Sequence, residues 1–244
     1  MHLPIEDCLE ELKLQLAANT RVVLQAPPGA GKTTLVPLSL LEEPWLKGRK
    51  ILILEPRRIA ARSAAHRMAE LINEKPGQTI GYRMRLESRT SKHTRIEVIT
   101  EGILIRMLQD DPLLEDAGLV IFDEFHERNL DSDLALALCL KGQELFADAH
   151  SETQLRMLLM SATLDTAALE SCLDNAPVVR SEGRSFPVEI IHSRASEAHE
   201  WISERMVNTV RQALNEHPDS SILAFLPGQA DIRRCTEALG AWLL

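Results

Sequence analysis

Aromatic side chains make up only 4% of the 244 residues, too few for base stacking on aromatic platforms to dominate any binding of single strands. Cysteine is sparse as well. Cys8, Cys139, Cys172 and Cys235 stand far apart with no C-x-x-C pair, which points to reduced, mostly buried thiols in a cytosolic protein. No apolar run approaches the ~20 residues of a membrane span. The start, Met1-His-Leu-Pro-Ile-Glu-Asp-Cys8, carries early acids and lacks the basic-then-apolar order of a secretory signal. Cationic residues are in the minority, 27 Lys and Arg against 36 Asp and Glu, for a formal net charge of -9. That balance argues against non-specific DNA binding by the whole surface, so any nucleic-acid site must be local. There is no short-period repeat and no low-complexity tract.

What remains is an ordinary globular composition, 45% hydrophobic and 26% charged, with length for one large domain or two small ones. Short apolar runs alternate with longer segments of helical spacing. The strand-like runs are Arg21–Gln25, Ile51–Leu54, Ile96–Thr100, Leu119–Phe122, Arg156–Met160 and Ser221–Leu226. The helix-like segments are Lys32–Leu41, Arg58–Ile72, Glu101–Leu108, Leu134–Leu145, Ala167–Leu173, Trp201–Asn215 and Ala230–Leu239. Strands without polar alternation are buried on both faces, and strands alternating with helices form parallel βα units. The expected fold is therefore α/β, with a parallel doubly wound sheet. Ser181-Glu-Gly-Arg-Ser-Phe-Pro-Val188 breaks the texture, which places a boundary near residue 184. The roughly 60 residues beyond it are at the low edge of what folds alone. They are either a small extension packed on the main domain or the start of a second α/β domain.

The first candidate site is Val22-Val-Leu-Gln-Ala-Pro-Pro-Gly-Ala-Gly-Lys-Thr-Thr34, a strand, a glycine-bearing loop and a helix. It matches a phosphate-binding loop at Gly31-Lys32-Thr33, with Ala26 in place of the usual first glycine. Backbone N–H groups of such a loop wrap a β-phosphate, and Gly29 and Gly31 leave room for the chain to curl. The helix N-terminus faces the anion. Lys32 reaches the β- and γ-phosphates, and the Thr33 hydroxyl is placed to bind Mg²⁺. Ala26, Pro27, Pro28, Gly29, Ala30, Gly31, Lys32, Thr33 and Thr34 together form the candidate nucleotide-binding set. The plainer alternative is a Gly/Pro-rich turn with a solvated Lys32, but the strand–loop–helix context is the one the motif requires.

A nucleotide site on an open parallel sheet needs a carboxylate at the carboxyl end of a second strand. Asp123, just after Leu119–Phe122, fits as the holder of the Mg²⁺ shell, and Glu124 as the group that orients or deprotonates the attacking water. A zinc-protease helix needs H-E-x-x-H, and His126-Glu-Arg-Asn-Leu130 ends in Leu. No cluster of Cys or His flanks the stretch, as structural zinc would want. Ser161-Ala-Thr163 follows another buried strand, so its hydroxyls emerge at the same edge. A helix N-cap made by Thr163 or Asp165 is an open alternative there. Arg57, Arg58 and Arg62 concentrate positive charge after Ile51–Leu54.

Asp123-Glu-Phe-His126 resembles the box that names the DEAH helicases, with Phe125 where that box has Ala. Glu55-Pro-Arg-Arg-Ile-Ala-Ala61, Gly81-Tyr-Arg-Met-Arg85, Thr100-Glu-Gly-Ile-Leu-Ile-Arg106, Ser161-Ala-Thr163 and Phe225-Leu-Pro-Gly228 resemble further motifs of the family, in the family's order. The resemblance implies a RecA-like P-loop domain over residues 1–183 and the beginning of a second RecA-like domain over 184–244. It implies an ATP-dependent RNA helicase with ATP and Mg²⁺ as cofactors and RNA, or another single-stranded nucleic acid, as partner. Lys32 and Thr33 would bind phosphates and Mg²⁺, Asp123 the metal, and Glu124 would direct the water. His126, Ser161 and Thr163 would couple nucleotide state to the RNA side. Arg57 and Arg58 would contact the sugar-phosphate backbone, with Thr100 and Arg106 nearby, although a solvated helix face explains Arg106 equally well. One of Arg62 and Arg67 would stack on the base; the residues leave open which. No Gln-Arg-x-Gly-Arg-x-Gly-Arg segment, the family's source of arginine fingers, is present in the sequence. The expectation is therefore a chain that binds Mg·ATP and hydrolyses it weakly, or an ATP- and RNA-binding module without useful turnover, working with the rest of a helicase chain in the cytoplasm.

Overall fold

A computed structural model describes residues 2–145, 154–162, 173–183, 187–193 and 201–243. The chain divides into two compact units, Met1–Ser185 and Phe186–Leu244. The first unit holds an eight-stranded sheet: β1 (Arg21–Gln25), β2 (Lys50–Leu54), β3 (Ile80–Met84), β4 (Glu87–Arg89), β5 (Ile96–Ile99), β6 (Ala117–Phe122), β7 (Arg156–Ser161) and β8 (Val178–Arg180), in spatial order β4-β3-β5-β2-β6-β7-β1-β8. Every neighbouring pair is parallel except the β3–β4 hairpin. The helices are α1 (Leu9–Ala18), α2 (Lys32–Ser39), α3 (Arg58–Leu71), α4 (Glu101–Asp110) and α5 (Leu130–Leu145).

The missing polar alternation has the cause read from the sequence: both sheet faces are covered. One face buries Val22, Leu24, Ile51, Ile53, Leu119, Ile121, Leu158 and Met160 against residues of α1, α2 and α3, including Leu12, Val36 and Met68. The other buries Val23, Leu52, Leu54, Val120, Phe122, Met157 and Leu159 with Leu104 of α4 and Leu136 of α5. Alternate residues of each central strand therefore feed two separate cores, the arrangement of a doubly wound sheet.

Four elements are absent from the segments read by spacing: α1, β4, β8 and β3, where Gly81 and Arg83 interrupt the apolar run. α1 has only Leu12 and Leu16 fully buried on a short helix, so its apolar stripe is narrow. β4 and β8 are three residues each, below the length at which a strand shows as a run. One expectation fails: 221–226 forms no strand. Leu223 and Phe225 there are about 80% exposed. A strand exists only as part of a hydrogen-bonded ladder, and no described strand of the second unit pairs with this segment. Residues 167–172 of the expected helix Ala167–Leu173 lie outside the described residues, and Leu173 sits in a turn. The second unit contains α6 (Ile202–Glu216) and α7 (Gln229–Leu243), pinned where the Cys235 thiol donates to the Ser203 carbonyl at 3.3 Å.

Candidate nucleotide site and its cationic edge

Most of the described candidate residues read from the sequence collect at the carboxyl edge of the sheet. β7 lies between β1 and β6, with Gln25 opposite Ser161 and Phe122 opposite Leu159. The loop after β1 and the turn after β6 therefore face one another across the end of β7.

The loop Ala26–Gly31 curls as its glycines permit. Gly29 has φ +77° and Gly31 φ +96°, a region L side chains rarely occupy. Gly31 is the N-cap of α2 and offers no side chain to that helix, so the first N–H groups are left for an anion. Lys32, 4% exposed, reaches across to Glu124, Nζ to Oε1 at 3.0 Å. The Thr33 hydroxyl donates to Asp123 Oδ2 at 2.5 Å. Asp123 continues β6 through its N–H bond to the Leu54 carbonyl at 3.1 Å, and its Oδ1 accepts the N–H of Glu124 at 2.8 Å. Glu124 itself has φ +49°, which turns the chain sharply and points its side chain back to Lys32. Burial pushes the Asp123 carboxyl above the usual range, opposed by the Thr33 hydrogen bond. A buried carboxylate short of cationic partners beside a hydroxyl is an oxygen donor pair suited to Mg²⁺, a hard cation. Thr33 and Asp123 would hold it, with phosphate oxygens and water completing the shell.

The end of β7 ties these parts together. The Ser161 carbonyl accepts the N–H of Ala26 at 3.0 Å, and the Ala162 N–H donates to His126 Nδ1 at 3.3 Å. The same Nδ1 lies 3.4 Å from Glu124 Oε2. One nitrogen cannot serve both: unprotonated it accepts from Ala162, and protonated it donates to Glu124. Phe125 fills an apolar gap, edge-on to Phe122 with ring centroids 6.1 Å apart. Thr163 lies outside the described residues.

Beside these groups is a cleft of about 400 Å³ lined by Thr33, Thr34, Glu55, Arg57, Arg67 and Glu124 among others. Glu55, 4% exposed at the end of β2, was not singled out from the sequence. Its carboxyl is pushed up to about 7, first by burial and then by Asp123, while the Arg57 N–H pulls the other way. Of the two arginines left open, Arg67 lines this cleft and Arg62 does not; Arg62 pairs with Glu87 of β4.

The cationic edge is real but already paired with acids. Arg57 contacts Glu127, and Arg58 sits 3.8 Å from Glu87 while donating to the Arg85 carbonyl. Glu87 also accepts from Tyr82 at 2.9 Å. Thr100 caps α4 at the end of β5, next to β2, whereas Arg106 lies exposed further along α4. Glu87 and Glu127 were missed because their role depends on which chain segments the sheet order brings together.

The model of the DEAD/DEAH box helicase family matches residues 8–171. The chain belongs to the DEAD/DEAH box helicases. It is 49% identical over 239 residues to the ATP-dependent RNA helicase HrpB of Escherichia coli K12, covering 98% of this chain and 29% of that protein. It is 34% identical to the pre-mRNA-splicing factor ATP-dependent RNA helicase prp22 of Schizosaccharomyces pombe, over 97% of this chain and 20% of the relative. The crystal structure of Escherichia coli DEAH/RHA helicase HrpB superposes with a TM-score of 0.89 at 48% identity, over 98% of this chain and 30% of that one. The α/β fold is thus that of a RecA-like helicase domain, and this helicase chain spans less than a third of the length of these relatives.

Two predictions follow from the geometry. In a titration with Mg²⁺ and a fluorescent non-hydrolysable ATP analogue, Lys32→Ala loses binding, while Glu124→Gln retains it because it removes only the group that competes for Lys32. Equal behaviour of the two variants would contradict these roles. For Glu55, the folded carboxyl titrates above the unfolded one, so the native state is penalised as pH rises from the ordinary carboxylate range through about 7. In urea melts without nucleotide or Mg²⁺, Glu55→Gln removes that loss, and its advantage over the unsubstituted chain grows between pH 5 and pH 8. A constant difference across that range would refute the assignment.

Proposed function

We propose that this chain is the nucleotide-binding part of an ATP-driven RNA helicase of DEAH type. Residues 1–183 are its first RecA-like domain and 184–244 the beginning of the second. The observation that carries the reading is the pair of contacts across the sheet edge, Lys32 on Glu124 and Thr33 on Asp123. Without nucleotide, the buried ammonium needs an anion, and Glu124 is the one within reach. A bound triphosphate supplies a better one. Lys32 then moves to the β- and γ-phosphates, and Glu124 is released to orient or deprotonate a water in line with the γ-phosphorus. Mg²⁺, where bound, neutralises charge on the β- and γ-oxygens. His126 senses the same exchange, because releasing Glu124 changes what its Nδ1 faces, and Ala162 carries that change toward β7. Arg67 lines the same cleft as Thr33, Thr34 and Glu124, so we assign the base contact to it rather than to Arg62.

The nucleic-acid side is Arg57 and Arg58, with Thr100 beside them and Arg106 at the margin. These residues can hold a sugar-phosphate backbone without reading sequence. Glu127 and Glu87 must yield those arginines when a phosphate arrives. The arginine-finger segment implied by the family resemblance has no counterpart in this sequence, and such a finger is worth about 10³–10⁵ in turnover. This favours nucleotide and RNA binding with weak turnover in the 244-residue chain.

A steady-state ATPase assay with and without single-stranded RNA is expected to give slow hydrolysis and no duplex unwinding. RNA-stimulated turnover at the level of a complete helicase would overturn that expectation. Arg57→Ala is expected to weaken RNA binding evenly across sequences and to lower the slope of log K against log salt by about 1. A sequence-dependent loss would make Arg57 a base reader instead.

A further inference from the structure

The phosphate loop is held from outside by a segment that the steps above do not use. β8 pairs with β1 up to Gln25 and Arg180, and the chain continues as Ser181-Glu182-Gly183. The Ser181 N–H donates to the Gln25 carbonyl at 2.8 Å, and its hydroxyl donates to the Pro4 carbonyl at 3.0 Å. One residue on, the Ile5 N–H donates to the Ala30 carbonyl at 3.2 Å. Residues 3–5, the loop and residues 180–183 thus close a ring of contacts that begins at Gln25 and ends at Ala30.

Gly183 is the tightest point of that ring. A Cβ built on it would stand 2.0 Å from Cγ of Pro27 and 3.1 Å from both Cβ and Cδ. Its φ lies outside the left-handed region, so the backbone there would accept any residue. The three nearest atoms all belong to the Pro27 ring. That ring is closed on its own backbone and cannot swing aside as a flexible side chain would. Pressure on it is passed to the loop itself.

We propose that Arg180–Gly183 is a strut that sets the position of the phosphate loop. Gly183 and Ser181 act as positioning residues that touch no nucleotide. The proposal rests on the loop being a Mg·ATP site. A loop with two glycines in the left-handed region would otherwise sample many shapes, and ordering it on binding would lower affinity. The strut and the N-terminal residues do that ordering beforehand.

The test titrates this chain with Mg²⁺ and a fluorescent non-hydrolysable ATP analogue, alongside thermal melts and RNA titrations. Gly183→Ala is expected to weaken nucleotide binding by about tenfold or more through overpacking against Pro27. Its Tm and RNA affinity should stay at the unsubstituted level. Pro27→Ala/Gly183→Ala is expected to bind as Pro27→Ala alone does, because the Cγ atom at 2.0 Å is gone and the remaining Cβ, at 3.1 Å, needs only a small shift. Ser181→Ala, which removes the hydroxyl's bonds to the Pro4 carbonyl and the Cys8 thiol and adds no bulk, should weaken binding by a smaller factor. Unchanged nucleotide affinity in Gly183→Ala overturns the strut, as does a double variant no better than the additive loss. A parallel fall in Tm, RNA affinity and nucleotide affinity also overturns it, because the role is then one of general stability. If the unsubstituted chain itself binds no nucleotide, the Mg·ATP reading falls and the strut with it.

Discussion

Two buried charges of opposite sign organise the carboxyl edge of this sheet. Lys32 and Asp123 are each 4% exposed, and each would be costly to leave without partners. Their partners are each other's neighbours: Glu124 takes Lys32, and Thr33 takes Asp123. The site is therefore cross-linked across β7 before any ligand arrives. The arrangement also explains why a nucleotide can change it. The described ion pair that holds the ammonium, with Glu124, is one that a phosphate could replace, which in the proposed function would free that carboxylate.

β7 gives this exchange somewhere to go. It is the strand between the two halves of the site, and its last residues bond to both. The Ser161 carbonyl is fixed to the start of the phosphate loop, and the Ala162 N–H is fixed to the histidine of the Asp-Glu-Phe-His turn. The proposed coupling would run through a short chain of hydrogen bonds with one ambiguous member, His126 Nδ1, which can face Ala162 or Glu124 but not both. That is a two-state element in a defined place.

The outer rim follows a different rule. In this chain of net charge -9 the local run Arg57, Arg58 and Arg62 is paired with acids. Glu127 comes from the turn after β6 and Glu87 from the β3–β4 hairpin, so the acids that neutralise the edge belong to the elements flanking it. Exposed pairs of this kind contribute little to stability and exchange readily. In the proposed function such pairs would yield their arginines to a phosphate backbone.

Much of this was legible in the residues alone. Runs such as Val22–Leu24 and Val120–Phe122 declared strands buried on both faces, because a strand with one wet face must alternate. Gly31-Lys32-Thr33 and Asp123-Glu124 stood out as a candidate site through residue type and position at strand ends, and the fold brings them into contact. The sequence could not say that β7 lies between β1 and β6, and so that Ser161 and Ala162 bridge the two motifs. Strand order is a property of the assembled sheet, not of any local run. For the same reason Glu55 looked like one residue of a motif until burial beside Asp123 shifted its carboxyl toward neutrality. Arg62 and Arg67 were equivalent on paper and were separated only by which side of α3 faces the cleft. Gly183 was an ordinary loop glycine until the fold pressed it against Pro27. The apolar stretch 221–226 marks the converse limit: its residues favour a strand, but a strand needs a partner, and none of the described residues supplies one. Residue type and spacing determined the kinds of element and the groups that carry chemistry. Tertiary structure alone decided which of them meet, because burial and distance arise only when segments far apart in the chain are packed together.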